Sequence, residues 1–283
     1  MDINPQTKCL GIFGNPLGHS LSPLLHNRTL QHLDLNYIYL PFEIEPRNLR
    51  HAVNAVRALG MAGVNVTIPY KEAVIPYLDE MSQDAVACQS VNVIVNRGGW
   101  LVGHNTDGAG FMKALSPFQV KKNGAVLIGC GGASRAIACQ LARDGWGRLI
   151  LLDIDWRRAL DLAEFLGRQY SCDIKALVMS QESFALESES ANLIVNCTPL
   201  GMYPHIDRCP VENLDKLETD ALVCDIIYNP QTTRLLHIAQ EAGLATLDGL
   251  SMFVHQAAMS LKLWLDIEPP LEFMKGAAAD GLR

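Results

Sequence analysis

The sequence lacks an extended block of lysines and arginines, and its formal net charge is −7 over 283 residues. A chain with this charge balance repels nucleic acid and anionic lipid on average, which argues against both as partners. No apolar run approaches the ~18 residues of a membrane span. Residues 1–5 also lack a basic segment followed by an apolar one, the pattern of a secretory leader. We therefore expect a cytoplasmic protein with no nucleic-acid or membrane partner.

Paired cysteines of the C-x-x-C type are also lacking. The 8 cysteines are scattered, and several lie in apolar stretches such as Leu222-Val223-Cys224. They are typical of reduced core residues rather than zinc ligands, so no metal site is expected. Internal repeats and low-complexity tracts are absent. With 49 % hydrophobic and 19 % charged residues, the composition excludes a disordered chain, and the length suffices for two domains.

A glycine-rich turn separates a predicted strand from a predicted helix. The apolar run 125–128 precedes the turn, and helical periodicity follows it over 135–142. The turn consists of Gly129, Cys130, Gly131, Gly132 and Ala133. Glycines let the backbone approach a pyrophosphate, whose charge is favoured by the free N–H groups of a helix N-terminus. Ser134 occupies the sixth place of G-x-G-x-x-G, so a purely structural turn is the alternative.

An aspartate stands where the next strand should end. Asp153 comes 24 positions after Gly129 (153 − 129) and directly follows the apolar run 149–152. A carboxylate at this place can hydrogen-bond the 2′-hydroxyl of an adenosine ribose. Strand, turn, helix and aspartate together predict a Rossmann-type dinucleotide-binding domain.

About 120 residues precede the glycine turn, too many for an arm, so another domain must come first. In this region apolar runs at 9–13, 37–40 and 63–67 alternate with helical patterns, which predicts a mainly parallel sheet. The runs 91–95 and 100–102 flank a hairpin-type turn, so some strands there should be antiparallel.

The predicted fold class is therefore α/β with two α/β domains. We place the first domain at residues 1–105 and the dinucleotide-binding domain at 106–248. Strands in the second domain are predicted at 125–128, 149–152, 174–178, 192–196 and 222–227. A long apolar helix at 251–266 follows the complete nucleotide-binding domain. We expect it to return to the first domain, which residues 249–283 would complete.

Two serines follow the first predicted strand. If the segment is extended, the hydroxyls of Ser20 and Ser22 point the same way and form a paired site for an oxygen-rich ligand. Alternatively, Ser22 only caps the next helix, with Pro23 in its first position.

A lysine lies at an electrostatically unfavourable place. Pro69 is predicted to open a helix with Lys71 in its first turn, after Asn65 and Thr67 at the end of a strand. The positive end of a helix dipole disfavours an ammonium, so Lys71 should lose its proton readily, which suits proton transfer. An exposed lysine without a catalytic role is the alternative.

The segment 103–108 joins the two predicted domains and places Asp107 at the start of a helix. Such an aspartate commonly just compensates the helix dipole, but its hinge position aims Asp107 into the expected cleft. A Lys71/Asp107 pair facing a nicotinamide implies hydride transfer between an alcohol and a ketone. The lysine would take the hydroxyl proton, and the aspartate would orient it.

Ordered motifs extend over nearly the whole chain. They are GNPLGHSLSP at 14–23, NVTIPYK at 65–71, SVNVIV at 90–95, GHNTDG at 103–108, GCGGASRA at 129–136, NCTPLGM at 196–202, DIIYNPQTT at 225–233 and GLSMFVHQAA at 249–258. In these motifs the chain resembles the shikimate dehydrogenase superfamily, which includes quinate/shikimate dehydrogenases. The resemblance implies reversible oxidation of the C3 hydroxyl of shikimate or quinate.

The resemblance also implies roles for individual residues. Lys71 and Asp107 would be the catalytic pair, while Ser20 and Ser22 would contact the substrate carboxylate. The implied contacts of the ring hydroxyls are Asn65, Thr67, Asn92, Asp107 and Gln256, with Tyr228 at the cleft. The implied cofactor contacts outside the glycine turn are Asn196, Thr198, Met202 and Gly249. On local sequence alone, Thr198-Pro199 also fits a simple turn, and Gln256 fits a polar spot on a core helix.

The chain departs from the family at the second strand's end. NADP-dependent members typically carry Asn-Arg-Thr or Asn-Arg-Ser, whose arginine meets the 2′-phosphate, whereas this chain has Asp153-Ile154-Asp155. A carboxylate facing that phosphate at ~4 Å would cost on the order of 1–4 kcal/mol. We expect Arg157 and Arg158 in a solvated helical turn. The sequence therefore predicts NAD as the cofactor, with NADP as the alternative.

Three other functions stay open at the level of sequence. They are an NADP-dependent biosynthetic shikimate dehydrogenase, an aminoshikimate-type dehydrogenase, and a non-catalytic NAD-dependent sensor that would need neither Lys71 nor Asp107. No residue separates shikimate from quinate, or a monomer from a homodimer.

Overall fold

Two compact α/β units make up the protein. The computed structural model describes residues 3–282. The first unit contains the described residues up to Asp107 and those from Val254 onwards, and the second unit runs from Gly108 to Phe253. The α/β class predicted from the alternating apolar runs is confirmed.

The first unit is built on a six-stranded mixed sheet of order β2-β1-β3-β5-β6-β4. Its strands are β1 (Lys8–Gly14), β2 (Tyr37–Glu43), β3 (Gly63–Val66), β4 (Glu80–Met81), β5 (Val93–Arg97) and β6 (Trp100–His104). Its first helices are α1 (Ser22–His32), α2 (Leu49–Ala58) and α3 (Gln83–Cys88), with short 3₁₀ helices at Pro46–Asn48 and Ile75–Tyr77. Strand β1 pairs parallel with β2 and β3, while β5 is antiparallel to both β3 and β6.

The β5–β6 hairpin and the core of the first unit follow from local sequence. Gly98 and Gly99 have φ of +64° and +96°, which the two-residue turn of a twisted hairpin requires. Val53 and Val56 lie on one face of α2 and pack in the same buried cluster as Val64 of β3.

The second unit contains a six-stranded parallel sheet of order β12-β11-β10-β7-β8-β9. Its strands are β7 (Ala125–Ile128), β8 (Arg148–Asp153), β9 (Asp173–Val178), β10 (Leu193–Asn196), β11 (Leu222–Asp225) and β12 (Ala245–Leu247). Its helices are α4 (Asp107–Leu115, beginning at the last residue of the first unit), α5 (Gly132–Arg143), α6 (Trp156–Gly167), α7 (Gln181–Ser188) and α8 (Arg234–Glu241). The strand order reverses at β7, between β8 and β10, which is the place where open parallel sheets bind ligands.

Two helices close the chain, α9 (Gly249–Leu265) and α10 (Leu271–Asp280). The C-terminal part of α9 belongs to the first unit, where Trp264 Nε1 donates to the carbonyl of Ile94 at 2.9 Å. Helix α10 packs on α1, and the rings of His32 and Phe273 stack with centroids 3.9 Å apart. None of the helices within residues 3–282 is long and apolar enough to cross a membrane.

Two local predictions are wrong. The helix expected to open at Pro69 is replaced by turns that run into the 3₁₀ helix Ile75–Tyr77. The Val74 N–H donates to the Tyr70 carbonyl, but Pro76 has no N–H with which to extend that ladder. Ser22 does not cap α1, because the N-cap is Leu21 and no side chain caps the helix.

Candidate active site

Lys71 and Asp107 form a largely buried ion pair in the first unit. Lys71 lies in the turns after β3, and Asp107 is the first residue of α4. Lysine Nζ lies 2.6 Å from aspartate Oδ2, and the two side chains are 14 % and 6 % exposed. Because no helix begins at Pro69, the helix-dipole explanation for Lys71 does not hold. Its ammonium instead faces a carboxylate.

Asn92 fixes the other oxygen of this carboxylate. Its Nδ2 donates to Asp107 Oδ1 at 2.8 Å and to Thr106 Oγ1 at 2.9 Å, while its Oδ1 accepts the Thr106 N–H at 2.8 Å. The Asp107 N–H donates to Asn105 Oδ1 at 3.0 Å. Both oxygens of Asp107 thus have assigned donors, which holds the carboxylate in one orientation.

Gln256 lies beside the same asparagine. Its Oε1 is 3.5 Å from Asn92 Nδ2, and its backbone carbonyl accepts the Thr106 hydroxyl at 3.2 Å. The structure therefore brings together four predicted site residues, namely Lys71, Asn92, Asp107 and Gln256. Thr106, which contacts two of them, was not singled out in the sequence, although it lies next to Asp107.

Asn65 is committed to contacts within the protein. Its Oδ1 accepts from the Tyr39 hydroxyl at 2.7 Å, and its Nδ2 donates at 3.1 Å both to the Asn92 carbonyl and to Ser260 Oγ. An amide nitrogen carries two hydrogens, so Asn65 has no free N–H for a substrate hydroxyl. Tyr39 and Ser260 were missed in the sequence, because nothing local reveals a partner so distant along the chain.

Ser20, Ser22 and Thr67 follow the ends of neighbouring strands. The serines follow β1, and Thr67 follows β3, which pairs parallel with β1. The backbone N–H of Ser22 donates to Ser20 Oγ at 3.3 Å. Ser20 Oγ therefore accepts the N–H of the first residue of α1, whereas the Ser22 side chain does not cap the helix.

The glycine turn of the second unit fits close approach of a phosphate-bearing ligand. Gly129 has φ of +89°, and a Cβ there would lie 2.8 Å from Thr198 Cγ2, so only glycine is accommodated. Gly131 is the N-cap of α5, with Gly132 and Ala133 in the first turn. A Cβ on Gly131 would meet only Arg158 Nη2, at 3.8 Å, so its backbone can be approached closely.

Asp153 directs its carboxylate at the protein's own backbone. Its Oδ2 accepts from the Cys130 N–H at 2.7 Å, and its Oδ1 accepts from the Asp155 N–H at 2.9 Å. Burial and the nearby Asp153 raise the pKa of the Cys130 thiol to about 12, which makes this cysteine an inert core residue. Asp155 caps α6 by accepting the Arg157 N–H at 3.1 Å. Both aspartates therefore have structural partners.

The remaining predicted residues lie in or at the edge of the second unit. Asn196 ends β10, Thr198 packs on Gly129, and Met202 is 36 % exposed in the loop that follows. Gly249 lies against a neighbouring segment, since a Cβ there would be 2.4 Å from the Ile226 carbonyl. Tyr228 stacks on Phe253 in this unit, with centroids 4.3 Å apart.

A doubly wound parallel sheet with a glycine turn at its switch point, together with a buried Lys/Asp pair, defines an oxidoreductase of the dinucleotide-dependent class. Residues 12–94 match the family model of the shikimate dehydrogenase substrate binding domain, and residues 249–278 match that of the shikimate 5′-dehydrogenase C-terminal domain. The chain belongs to the shikimate dehydrogenase family.

Relatives cover nearly the whole chain. A shikimate dehydrogenase (NADP(+)) of Syntrophomonas wolfei subsp. wolfei is 46 % identical over 97 % of this chain and 95 % of its own. The structure of a shikimate dehydrogenase in complex with NADP+ is 36 % identical, with a TM-score of 0.90 over 100 % of this chain and 98 % of that one. A shikimate 5-dehydrogenase of Listeria monocytogenes in complex with shikimate and NAD is 33 % identical, with a TM-score of 0.88 over 98 % of both chains.

The prediction of NAD as the cofactor is wrong. Curated relatives from several organisms are named shikimate dehydrogenase (NADP(+)), which favours NADP. The prediction assumed that the Asp153 carboxylate faces the ribose. In the structure, each of its oxygens accepts a backbone N–H, and the guanidinium of Arg158 lies beside the turn.

Proposed function

We propose that this protein is an NADP-dependent shikimate dehydrogenase, which interconverts shikimate and 3-dehydroshikimate at C3. The observation that carries the proposal is the hydrogen-bonded series from Lys71 through Asp107 to Asn92. It places a proton donor and its orienting carboxylate in a mostly buried polar cluster. The names of the relatives supply the substrate and the cofactor.

In this proposal Lys71 handles the proton. During reduction its ammonium donates a proton to the C3 oxygen as that carbon is reduced, and during oxidation its amine takes the hydroxyl proton back. Asp107 keeps Nζ in place and stabilises the charged lysine. Asn92 keeps Asp107 from rotating, because it donates to the oxygen that Lys71 does not use.

The first unit would bind the substrate and the second unit the cofactor. Ser20 and Ser22 offer hydroxyls for the carboxylate, while Thr67, Asn92 and Gln256 offer polar groups for the ring hydroxyls. The bound cofactor would accept the hydride as NADP+ during oxidation and supply it as NADPH during reduction. The turn from Gly129 to Ala133 would hold the pyrophosphate, and Arg158 would hold the 2′-phosphate.

Replacing Lys71 with alanine tests the proton-transfer role. We expect kcat with shikimate and NADP to fall about 10²–10⁴-fold, the usual contribution of a general acid–base group. The dissociation constant of NADP should stay the same, because Lys71 belongs to the first unit. Lys113→Ala, an exposed change on α4, is the control and should keep full activity. Wild-type turnover in Lys71→Ala would reject the assignment.

Initial rates with shikimate and quinate, each with NADP and NAD, test the substrate and the cofactor. We expect the highest kcat/KM with shikimate and NADP. A higher value with quinate would overturn the proposed substrate. NADP binding without turnover of any cyclic alcohol would instead favour a sensor, for which the Lys71–Asp107 pair has no use.

A further inference from the structure

Asp225 is a buried carboxylate that the proposed reaction does not use. It ends β11 in the second unit and is 2 % exposed. Its Oδ2 accepts from Asn196 Nδ2 at 3.0 Å and from Thr233 Oγ1 at 2.7 Å, and its Oδ1 accepts from the Ile227 N–H at 3.0 Å. These three donors are neutral, and burial raises the pKa of Asp225 to about 6. A buried carboxylate held this way is costly, which calls for a reason beyond packing.

Asp225 determines which way the amide of Asn196 points. Because Asn196 Nδ2 donates to Asp225 and, at 3.3 Å, to the Leu200 carbonyl, its Oδ1 must face the opposite way. There it accepts both the N–H and the hydroxyl of Thr198, at 3.0 and 2.7 Å. The Leu200 N–H then donates to Thr198 Oγ1 at 3.1 Å. The carboxylate is thus connected to the backbone of residues 198–200 through one side chain.

Thr198 packs directly on the glycine turn. A Cβ on Gly129 would lie 2.8 Å from Thr198 Cγ2 and 3.3 Å from the Thr198 nitrogen. Any shift of Thr198 therefore alters the space beside the first glycine of the turn.

Asp225 also bonds to Thr233, which lies beside Gly201 near the end of the loop 197–202. The Thr233 side chain caps α8 by accepting the Leu236 N–H at 3.4 Å. It also lies beside Gly201, whose φ is +96° and whose added Cβ would be 3.6 Å from Thr233 Cβ. One carboxylate therefore bonds to Asn196, which directly precedes the loop, and to Thr233, which lies beside Gly201 near the end of the loop.

We propose that Asp225 is a positioning residue that holds the loop 197–202 against the glycine turn and thereby sets the affinity for NADP. The inference rests on the proposed function, in which the turn binds that cofactor. An ionised carboxylate is suited to this place because it offers acceptor sites on both oxygens and carries no donor.

Asp225→Asn tests the inference, because asparagine keeps the shape and loses one acceptor atom. Its NH₂ group must face either the Ile227 N–H or the donors of Asn196 and Thr233. We expect the dissociation constant of NADP, measured by titration, and its KM to rise about tenfold. The KM for shikimate and kcat at saturating NADP should stay at wild-type values.

Glu187→Gln is the matched control. Glu187 is also a buried carboxylate of the second unit, but it pairs with Arg148 at 2.9 Å and with Lys175 at 2.5 Å, away from the loop 197–202. The Glu187→Gln change should lower the melting temperature of the protein and leave its affinity for NADP unchanged. Equal losses of affinity in both variants, or wild-type affinity in Asp225→Asn, would overturn the inference.

Thr233 supplies a second pair of variants in case Asp225→Asn fails to fold. Thr233→Val removes one donor to Asp225 and should weaken NADP binding, while Thr233→Ser keeps the hydroxyl and should restore it. Equal NADP affinity in the two variants would reject the inference. Titration needs no turnover, so it still tests the inference if shikimate proves not to be the substrate.

Discussion

At the scale of single residues, Arg158 is the group on which NADP recognition depends in our proposal. Its Nη2 lies 3.8 Å from the Cβ position of Gly131. Arg158→Ala should raise the KM for NADP about tenfold, the value of one charge-assisted hydrogen bond, and leave the KM for NAD unchanged. Steady-state kinetics with both cofactors gives the ratio of the KM for NADP to the KM for NAD in each variant.

Arg157→Ala is the control for that change. Arg157 is exposed in the same turn of α6 and has the same charge, but its contact in the structure is a backbone N–H that donates to the capping carboxylate of Asp155. It should leave the KM for NADP near the wild-type value. If the KM for NADP rises equally in both variants, only the net positive charge near the turn matters, and Arg158 is not a specific contact.

Asp153 shows what a sequence reveals about one residue. Its position after β8 followed from the apolar run before it. The direction of its carboxylate depends on two N–H groups, those of Cys130 and Asp155, and the first of these comes from another strand–helix connection. Periodicity predicts positions along a strand, whereas hydrogen-bond partners are determined by tertiary packing.

At the scale of elements, α1 places a neutral histidine in the core. His26 is fully buried and stacks on Tyr39 with centroids 4.4 Å apart, and neither ring nitrogen has a hydrogen-bond partner within the described part of the chain. Burial lowers its pKa from 6.5 to about 3. The neutral ring is therefore favoured in the folded state.

This burial predicts a pH-dependent stability. A histidine with a lowered folded-state pKa contributes stability that is present above pH 6.5 and is lost as the pH falls towards 3, up to about 5 kcal/mol. In His26→Phe, the free energy of unfolding measured with urea should fall less between pH 6.5 and pH 3 than it does in the wild type. His51→Asn, an exposed change on α2, should behave like the wild type. If the free energy of unfolding has the same dependence on pH in wild type and His26→Phe, buried His26 is not the cause of the pH dependence.

Strands and long helices were predictable, and short connections were not. Strands β7 and β8 and helix α9 lie within two residues of the predicted bounds, because each is an apolar run with flanking turn residues. The helix predicted at Pro69 does not form, since Pro76 lacks the N–H that would continue it. Helix α10 was not predicted, because the apolar side chains of this short helix are buried only by packing against α1, which is distant in the sequence.

At the scale of the whole molecule, NADP binding should stabilise the protein. A ligand that binds only the folded state adds about 2.7 kcal/mol at one hundred times its dissociation constant. The melting temperature measured by calorimetry should therefore rise by several degrees with NADP. It should rise less in Asp225→Asn at the same NADP concentration. An unchanged melting temperature in the wild type would contradict cofactor binding.

The candidate site was only partly visible in the sequence. Lys71, Asn92, Asp107 and Gln256 lie in ordered motifs, and the structure brings them together. Tyr39 and Ser260 hold the Asn65 side chain from buried positions. Their value depends on partners distant in the chain, such as Asn65, 26 residues from Tyr39 and 195 from Ser260.

The contacts of α9 with the first unit constrain the order in which the chain can fold during synthesis. Asn65 bonds to Ser260, and the Ile94 carbonyl accepts from Trp264. These two contacts cannot form until Ser260 and Trp264 have been synthesised, which happens only after all of the second unit. Residues 108–253 form a continuous stretch and can fold first, since domains tend to fold as units while the chain is made. The Lys71–Asp107 site would then be among the last parts of the nascent protein to acquire its surroundings, so no half-made chain carries a finished site.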